Sequence, residues 1–463
     1  MRVIHAVAVL VLSVVMLPAW AAEGMAEQVF QQWLAAYNSG DAQAQQRVVA
    51  RHRMVGDSAP AFHLRPSLGA LTYLQARSRS EAKVEMLVRA EPSERGLLIT
   101  VAMDPASPSA VGFFQIEGAE LPPAYQPQRL ALPSLLAQAR QRLDAALAAD
   151  ALSGVVLLAK DDAVLMSWQG GLADHSTRQA ITAETRFRVA SLNKMFTAVA
   201  VLQLVQAGKL GLDERIAQHL PDYPGEEAAR NITVGQLLNH TAGLGDVFGD
   251  GFAQVAPTLQ THADYVAHYS RQPLQHAPGT QDGYSNYGYI VLGRIVEAVA
   301  GQSYYDYVAT HILAPAGMAH SGFEPESINV PGRATGYTRS SSQAPWQAET
   351  TSLPWRGTAA GGGYSTAGDL LKFAQALQSG VLLDAAWLEQ ATRAQNHKHW
   401  YGYGFMVSGE GATQQYGHEG GAPGQNAVFW VLPEAGYVLV GLSNTDPDVM
   451  ESAVNYIVRR LPL

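Results

Sequence analysis

The 463 residues of this chain include no cysteine. That absence excludes disulfides, thiolate zinc sites, iron–sulfur clusters and cysteine nucleophiles, and it rules out a lipoprotein leader. Charge is also scarce. Charged residues make up 15%, and acids outnumber bases 40 to 31, for a formal net charge of −9. Nucleic acid and anionic lipid both demand basic patches, so neither is expected as a partner. Beyond the N-terminus, no uninterrupted apolar run approaches the roughly 20 residues of a membrane helix. Two catalytic signatures are missing as well. Gly283-Tyr284-Ser285-Asn286-Tyr287 and Gly363-Tyr364-Ser365-Thr366-Ala367 each lack the final glycine of Gly-x-Ser-x-Gly, and neither follows a β-run. No His-Glu-x-x-His occurs, and His397-x-His399 lies in a polar loop. No metal and no organic cofactor is implied.

What is present suits a globular enzyme: 47% apolar residues, 24 prolines, and length for two or three domains. Residues 1–21 read as a signal peptide. Arg2 supplies the positive end, Ala6 to Leu17 the apolar core, and Ala19-Trp20-Ala21 the cleavage site. The product is expected to be exported, most simply to the periplasm, with no stable membrane span once the leader is removed.

Residues 22–118 read as a small α+β accessory domain. From Met25 to Tyr37, apolar residues recur at helical spacing, and Asn38-Ser39-Gly40-Asp41 stops the helix. Three β-rich runs follow, Val84 to Ala90, Gly96 to Met103 and Val111 to Ile116. The Trp33-Leu34-x-x-Tyr37-Asn38-Ser39-Gly40-Asp41 start resembles nuclear transport factor 2-like domains, although no acid–histidine pair is there to fill such a fold's pocket. Residues 119–132 form a linker around Leu121-Pro122-Pro123.

The remainder, 133–463, opens with a helix from Pro133 to Ala149 and a hairpin, Leu152 to Ala159 and Ala163 to Trp168. A helical, loop-rich middle runs from Leu210 to Leu388. β-Patterns return at Tyr403 to Val407, Asn426 to Leu432 and Tyr437 to Leu442, and a last helix spans Met450 to Leu461. Strands at both ends with helices between predict one antiparallel sheet closed by the terminal segments. Helices flank it and a helical subdomain covers one side, an α/β (α+β) architecture.

At the centre of this region stands Ser191-Leu192-Asn193-Lys194, followed by an almost wholly apolar run to Ala207. Its apolar residues face all sides of a helix, which marks a buried helix, and Gly208 ends it. Ser191 and Lys194, three apart, share a face of its first turn. A serine hydroxyl needs a base to take its proton. A lysine at a buried helix start can be that base, because desolvation and the helix dipole both lower its pKa. The same spacing at Ser80-Glu81-Ala82-Lys83 has charged surroundings and no buried helix, and reads as a chance match on a solvated strand edge.

Four segments make the region from about Pro133 onward resemble the serine β-lactamase and DD-peptidase superfamily, in its class C-like esterase and peptidase branch. The first is Ser191 to Lys194. The second, Tyr284-Ser285-Asn286, is similar to the family's Tyr-x-Asn element on a loop. The third, Gly417-His418-Glu419-Gly420-Gly421, precedes the strand from Asn426 and stands where the family has Lys-Thr-Gly. The fourth comprises Leu237 to Leu244, with a structural His240, and Gly361 to Leu370, a glycine-rich wall followed by a helix capped by Ser365 or Thr366.

The resemblance implies a β-lactamase/transpeptidase-like fold and an acyl-enzyme mechanism. It implies Tyr284, partly phenolate beside Lys194, as a proton shuttle. Asn286 would hold Lys194 or the substrate's acyl amide. The backbone N–H groups of Ser191 and Gly421 would form an oxyanion hole, with Gly420 and Gly421 letting the strand edge approach the acyl group. His418 would sit by the leaving group or a substrate carboxylate. Because His418 replaces a permanently charged lysine, the expected substrates are small esters or amides, D-amino-acid amides and cell-wall peptides among them. A β-lactamase or DD-carboxypeptidase proper is the enzymatic alternative, and a non-catalytic binder of cell-wall fragments the alternative of another class. Oligomeric state is not readable.

Overall fold

The computed structural model describes residues 24–54, 62, 65–91, 93–161, 163–249, 251–341, 344–349 and 353–463. The leader read at residues 1–21 lies outside the described residues. The chain forms two compact units, one up to Tyr125 and one from Gln126 to Leu463.

In the first unit, helix α1 (Met25–Ser39) buries Val29, Phe30, Trp33 and Tyr37 at helical spacing. Gly40 ends it in the left-handed region, at φ 67°, with its N–H on the Tyr37 carbonyl. Asp41 caps α2 (Ala42–Arg51), accepting from the Gln43 N–H. Asn38 then pairs with Leu71 through both ends of its amide, at 2.8 Å each, as a strand neighbour would. Four strands follow as an antiparallel meander: β1 (Ala70–Arg79), β2 (Lys83–Glu91), β3 (Gly96–Asp104) and β4 (Ser107–Gly118). Trp33 stacks on Phe62 and meets Phe114 at the centre of this core. Ser80 to Lys83, read from sequence as a strand edge, is the β1–β2 turn, where the Ser80 hydroxyl both donates to the Lys83 carbonyl and accepts its N–H.

The second unit is built on a six-stranded antiparallel sheet. Its strands are β5 (Gly154–Lys160), β6 (Ala163–Gly170), β7 (Met406–Ser408), β8 (Gln415–Ala422), β9 (Gln425–Leu432) and β10 (Tyr437–Ser443). They lie in the order β7-β8-β9-β10-β5-β6, so the late strand β10 pairs with the early β5, Val440 opposite Leu157. β9 and β10 are buried along their whole length, because both faces of the sheet are covered. Alternation divides their side chains. Val155, Leu157, Phe429, Val431, Val438 and Val440 face one core, and Val156, Leu158, Val428, Trp430 and Leu439 face the other. Helices α3 (Leu132–Ala148) and α7 (Val449–Val458) cover the second face. On the first face lie α4 (Asn193–Gln206), α5 (Asn286–Ala300) and α6 (Ala367–Gln378).

Helix α4 is buried on all sides, and Gly208 follows it at φ 66°. Within this sheet two assignments change. The strand read at Tyr403 to Val407 is the short β7, beginning at Met406. The segment read as preceding a strand, Gly417 to Gly421, is itself strand β8, with His418 opposite Phe429 and Gly420 opposite Ala427. Its three glycines carry little strand propensity, and pairing with β7 and β9 overrides them.

Gly441 on β10 lies under α7, where an added Cβ would fall 2.5 Å from Val454 Cγ2 and 2.7 Å from Met450 Sδ. Strand propensity favours valine over glycine, but the close approach opposes it and should win. Gly441→Val is therefore expected to destabilise the second unit by about 1–3 kcal/mol. Chemical denaturation is the check, and an unchanged or raised midpoint would contradict this packing.

Candidate active site

The strand preceding α4 ends in a kink. Ala190 is held at φ 45°, in the left-handed region that residues with a Cβ seldom occupy. Its carbonyl accepts the Gly362 N–H at 3.2 Å. A short 3₁₀ turn, Ala190–Leu192, then feeds α4, so Ser191 sits on the turn just before the helix that carries Lys194. Strand β8 passes so close that a Cβ on Gly420 would lie 2.8 Å from the Ser191 nitrogen and 2.9 Å from the Val189 oxygen. A Cβ on Gly421 would instead meet Pro447 at 2.7 Å. Gly420 is thus the glycine that brings the strand against the serine, and Gly421 follows it on the exposed side.

Lys194 has no solvent exposure. Its Nζ lies 3.2 Å from Ser191 Oγ, 2.6 Å from Asn286 Oδ1 and 2.6 Å from the Ala360 carbonyl. Burial brings its pKa down from 10.5 to about 7, against an opposing pull from the Asp246 carboxylate. A neutral amine has two N–H groups and one lone pair. Asn286 and Ala360 can accept the two hydrogens, which leaves the lone pair for the Ser191 hydroxyl.

Tyr284 completes the group. Its hydroxyl lies near enough to Ser191 to feel it electrostatically, and Lys194 Nζ lies 4.7 Å from its ring centroid. The electrostatics at Tyr284 run against phenolate character. Tyr284 is 38% exposed as a residue, but local desolvation of its hydroxyl raises the phenol above its ordinary range, and the Asp246 charge adds to that, outweighing the opposing influence of Ser191. Of this pair the lysine is the group that gives up its proton near neutrality. Asn286 is not on a loop either. Ser285 caps α5, accepting the Gly288 N–H at 3.0 Å, and Asn286 is the helix's first residue.

His418 is buried, and both ring nitrogens are engaged. Nδ1 faces the Glu419 carbonyl at 2.5 Å, so it carries the proton, and Nε2 accepts from the Tyr401 hydroxyl at 2.9 Å. Burial and the neighbouring Lys194 lower its pKa to about 3. His418 is therefore a neutral strut to Tyr401 in this structure. His240, expected to be a satisfied structural histidine, is so at one nitrogen only. Nδ1 accepts the Ser285 N–H at 3.2 Å, whereas Nε2 is buried without a hydrogen-bond partner among the described residues. Around it pack the rings of Tyr284, Tyr289, Trp400 and Tyr401.

The structure thus brings Ser191, Lys194, Tyr284, Asn286 and Gly420 together, with His418 one layer behind. Sequence reasoning missed Asp246, whose carboxylate accepts from Asn286 Nδ2 at 2.9 and 3.1 Å. Its one sequence cue is its position just after the Leu237–Leu244 segment. It also missed the Ala360 carbonyl, which no side chain announces. The Thr358–Gly363 wall is tied to α4 by Asn193 Nδ2 on the Thr358 carbonyl, at 2.7 Å, and by the Thr197 hydroxyl on the Ala359 carbonyl, at 2.6 Å. His262 holds it from the other side, where Nε2 accepts the Ala359 N–H while Nδ1 donates to Glu297.

The family model for beta-lactamase matches residues 139–462. Penicillin-binding protein 4 of Amycolatopsis lactamdurans is 29% identical over 323 residues, which cover 66% of this chain and 84% of that protein. A solved penicillin-binding protein from Bacillus halodurans superposes with a TM-score of 0.62 at 28% identity, over 70% of this chain and 98% of its own. The D-amino acid amidase from Ochrobactrum anthropi SV3 superposes with a TM-score of 0.60 at 27% identity, over 71% and 98% respectively.

Because the atoms that a Gly420 Cβ would strike are backbone, they cannot swing aside. Gly420→Ala should therefore displace the Ser191 amide and slow fluorophosphonate labelling of Ser191 by roughly 10²-fold, the scale of losing one oxyanion donor. Labelling at the wild-type rate, followed by intact mass, would contradict this approach of strand to serine.

Proposed function

The chain belongs to the beta-lactamase family and is a serine hydrolase, and on that premise we propose that it is an exported acyl-transfer enzyme acting on small amides or esters, with D-amino-acid amides the favoured class. The observation that carries the reading is the Lys194 amine, buried, brought down to about 7 and aimed at Ser191 Oγ.

In the proposed sequence, neutral Lys194 takes the Ser191 proton as Oγ attacks the substrate carbonyl. The resulting oxyanion lies against the backbone N–H groups of Ser191 and Gly421. Tyr284, a neutral phenol beside Ser191, passes a proton to the leaving amine or alcohol and recovers one from Lys194. The acyl–Ser191 ester then forms as the C–N or C–O bond breaks, and water clears it by the reverse proton route. Asn286 holds Lys194 through its side-chain oxygen. His418 acts at one remove, through Tyr401.

Substrate class is inferred from charge. At the position where the family has a lysine, His418 is neutral at physiological pH. A substrate carboxylate would lose there a charged hydrogen bond of about 1.5–3 kcal/mol, roughly ten- to a hundred-fold in turnover efficiency. Amides and esters lacking that carboxylate lose nothing. Two structural neighbours, a D-amino acid amidase and a D-stereospecific amidohydrolase from Streptomyces sp., are consistent with this preference.

D-phenylalanine amide and a p-nitrophenyl ester are expected to be hydrolysed with kcat/KM at least about ten-fold above that for a chromogenic cephalosporin, and Ser191→Ala should abolish all three. Efficient cephalosporin turnover would refute the substrate assignment. With neutral lysine as the base, kcat/KM should rise with pH through about 7. A profile flat from pH 6 to 8 would remove Lys194 from that role.

A further inference from the structure

Asp246 lies off the reacting atoms, yet it touches the residue that holds the base. Its two carboxylate oxygens take the Asn286 side-chain NH₂ at 2.9 and 3.1 Å, and one also accepts the Asn286 backbone N–H at 3.4 Å. A carboxylate can only accept. Asn286 must therefore present its nitrogen to Asp246 and its oxygen to Lys194, where the contact is 2.6 Å. Were the amide free to turn over, its NH₂ would face the amine and compete for the lone pair that Ser191 needs. Asp246 is itself fixed by the turn it occupies, accepting the Val247 and Phe248 N–H groups at 2.6 and 3.0 Å.

We propose that Asp246 is a positioning residue of the acyl-transfer centre: it locks the Asn286 amide so that its oxygen orients the Lys194 amine toward Ser191. This rests on the reading of Ser191 and Lys194 given above. It also excludes Asn286 Nδ2 as a donor to the substrate while Asp246 holds it. The groups facing Lys194 from the surrounding elements are the rings of Tyr284 and Tyr289, at 4.7 and 5.4 Å, the buried His240 and His418, and the Asp246 carboxylate. Of these, Asp246 is the carboxylate whose charge favours the ammonium form, and the two ring faces favour it more weakly. Its removal should thus act twice, and in opposite senses. The amine loses its orientation, which slows attack, and its pKa falls, which moves the acid limb to lower pH.

The test is the pH profile of fluorophosphonate labelling, read by intact mass, for wild type, Ser191→Ala, Asp246→Asn and Asp246→Glu. Asp246→Asn keeps the shape and one acceptor but loses the charge and gains a donor. Its plateau rate should fall about ten- to a hundred-fold, and its midpoint should move down by roughly one pH unit. Asp246→Glu should keep the wild-type midpoint and recover part of the rate. A lowered rate with an unmoved midpoint would reduce Asp246 to packing and overturn the proposal, as would a wild-type profile. If Asp246→Asn does not fold by circular dichroism, Asp246→Glu decides alone, and a midpoint displaced downward despite the retained charge would overturn it. Absence of an adduct on the wild type, or persistence of one in Ser191→Ala, would instead overturn the acyl-transfer reading and this proposal with it.

Discussion

A lysine amine with no solvent-exposed surface is the constraint to which the second unit is built. Bringing Lys194 from 10.5 to about 7 means that its charged form is disfavoured by on the order of 4–5 kcal/mol in the fold. That is a sizeable part of the 5–15 kcal/mol by which a domain is ordinarily stable. The sign follows from linkage. Between pH 7 and 10.5 the unfolded chain holds more protons on this group than the folded one, so the cost is greatest at and below pH 7 and fades as pH rises. The rest of the unit offsets it, with a helix buried on every side and a sheet buried on both faces. The favourable contacts at the amine are three short polar ones and two aromatic faces, from segments that only the folded chain assembles.

Two supports of a similar kind reach that amine from different directions. On one side a carboxylate, Asp246, orients an amide that faces Nζ. On the other a carboxylate, Glu297, fixes the tautomer of His262, which holds the Ala359 N–H beside the Ala360 carbonyl. Neither carboxylate touches the amine. Placing the negative charge one residue away lets each neighbour be oriented without forming a direct ion pair, which would return the lysine to its charged form.

How much of this was legible follows from where information resides in a sequence. Ser191 and Lys194 were visible because three-residue spacing and an all-apolar run are side-chain properties, and the end of that helix was visible because Gly208 is needed at φ 66°. Tyr284 and Asn286 were legible from family resemblance. Strand β8 was not, since Gly417, Gly420 and Gly421 have the composition of a turn, and only the close neighbours of each, the Phe429 carbonyl, the Ser191 amide and Pro447 in turn, explain why a strand keeps them. Strand β1 was missed for a different reason. It is a sheet edge with irregular register and few buried residues, so it shows no alternation to read. The Ala360 carbonyl is backbone and leaves no trace in residue type. The state of the Tyr284 hydroxyl is not legible from sequence, because proximity to a cation is a pairwise fact whereas desolvation depends on the rings packed around it.

The sheet order β7-β8-β9-β10-β5-β6 has a kinetic consequence. Serine 191, the amide at 286, the carbonyl at 360 and the strand at 420 are distant along the chain, and β5 waits for β10 before its open edge is paired. Such high contact order makes folding slow and exposes unpaired strand edges while it proceeds. It also means that a partly folded chain has the serine but not the surroundings that would make it nucleophilic. Reactivity thus depends on long-range closure, so a chain still emerging from a ribosome carries a hydroxyl that lacks its activating neighbours.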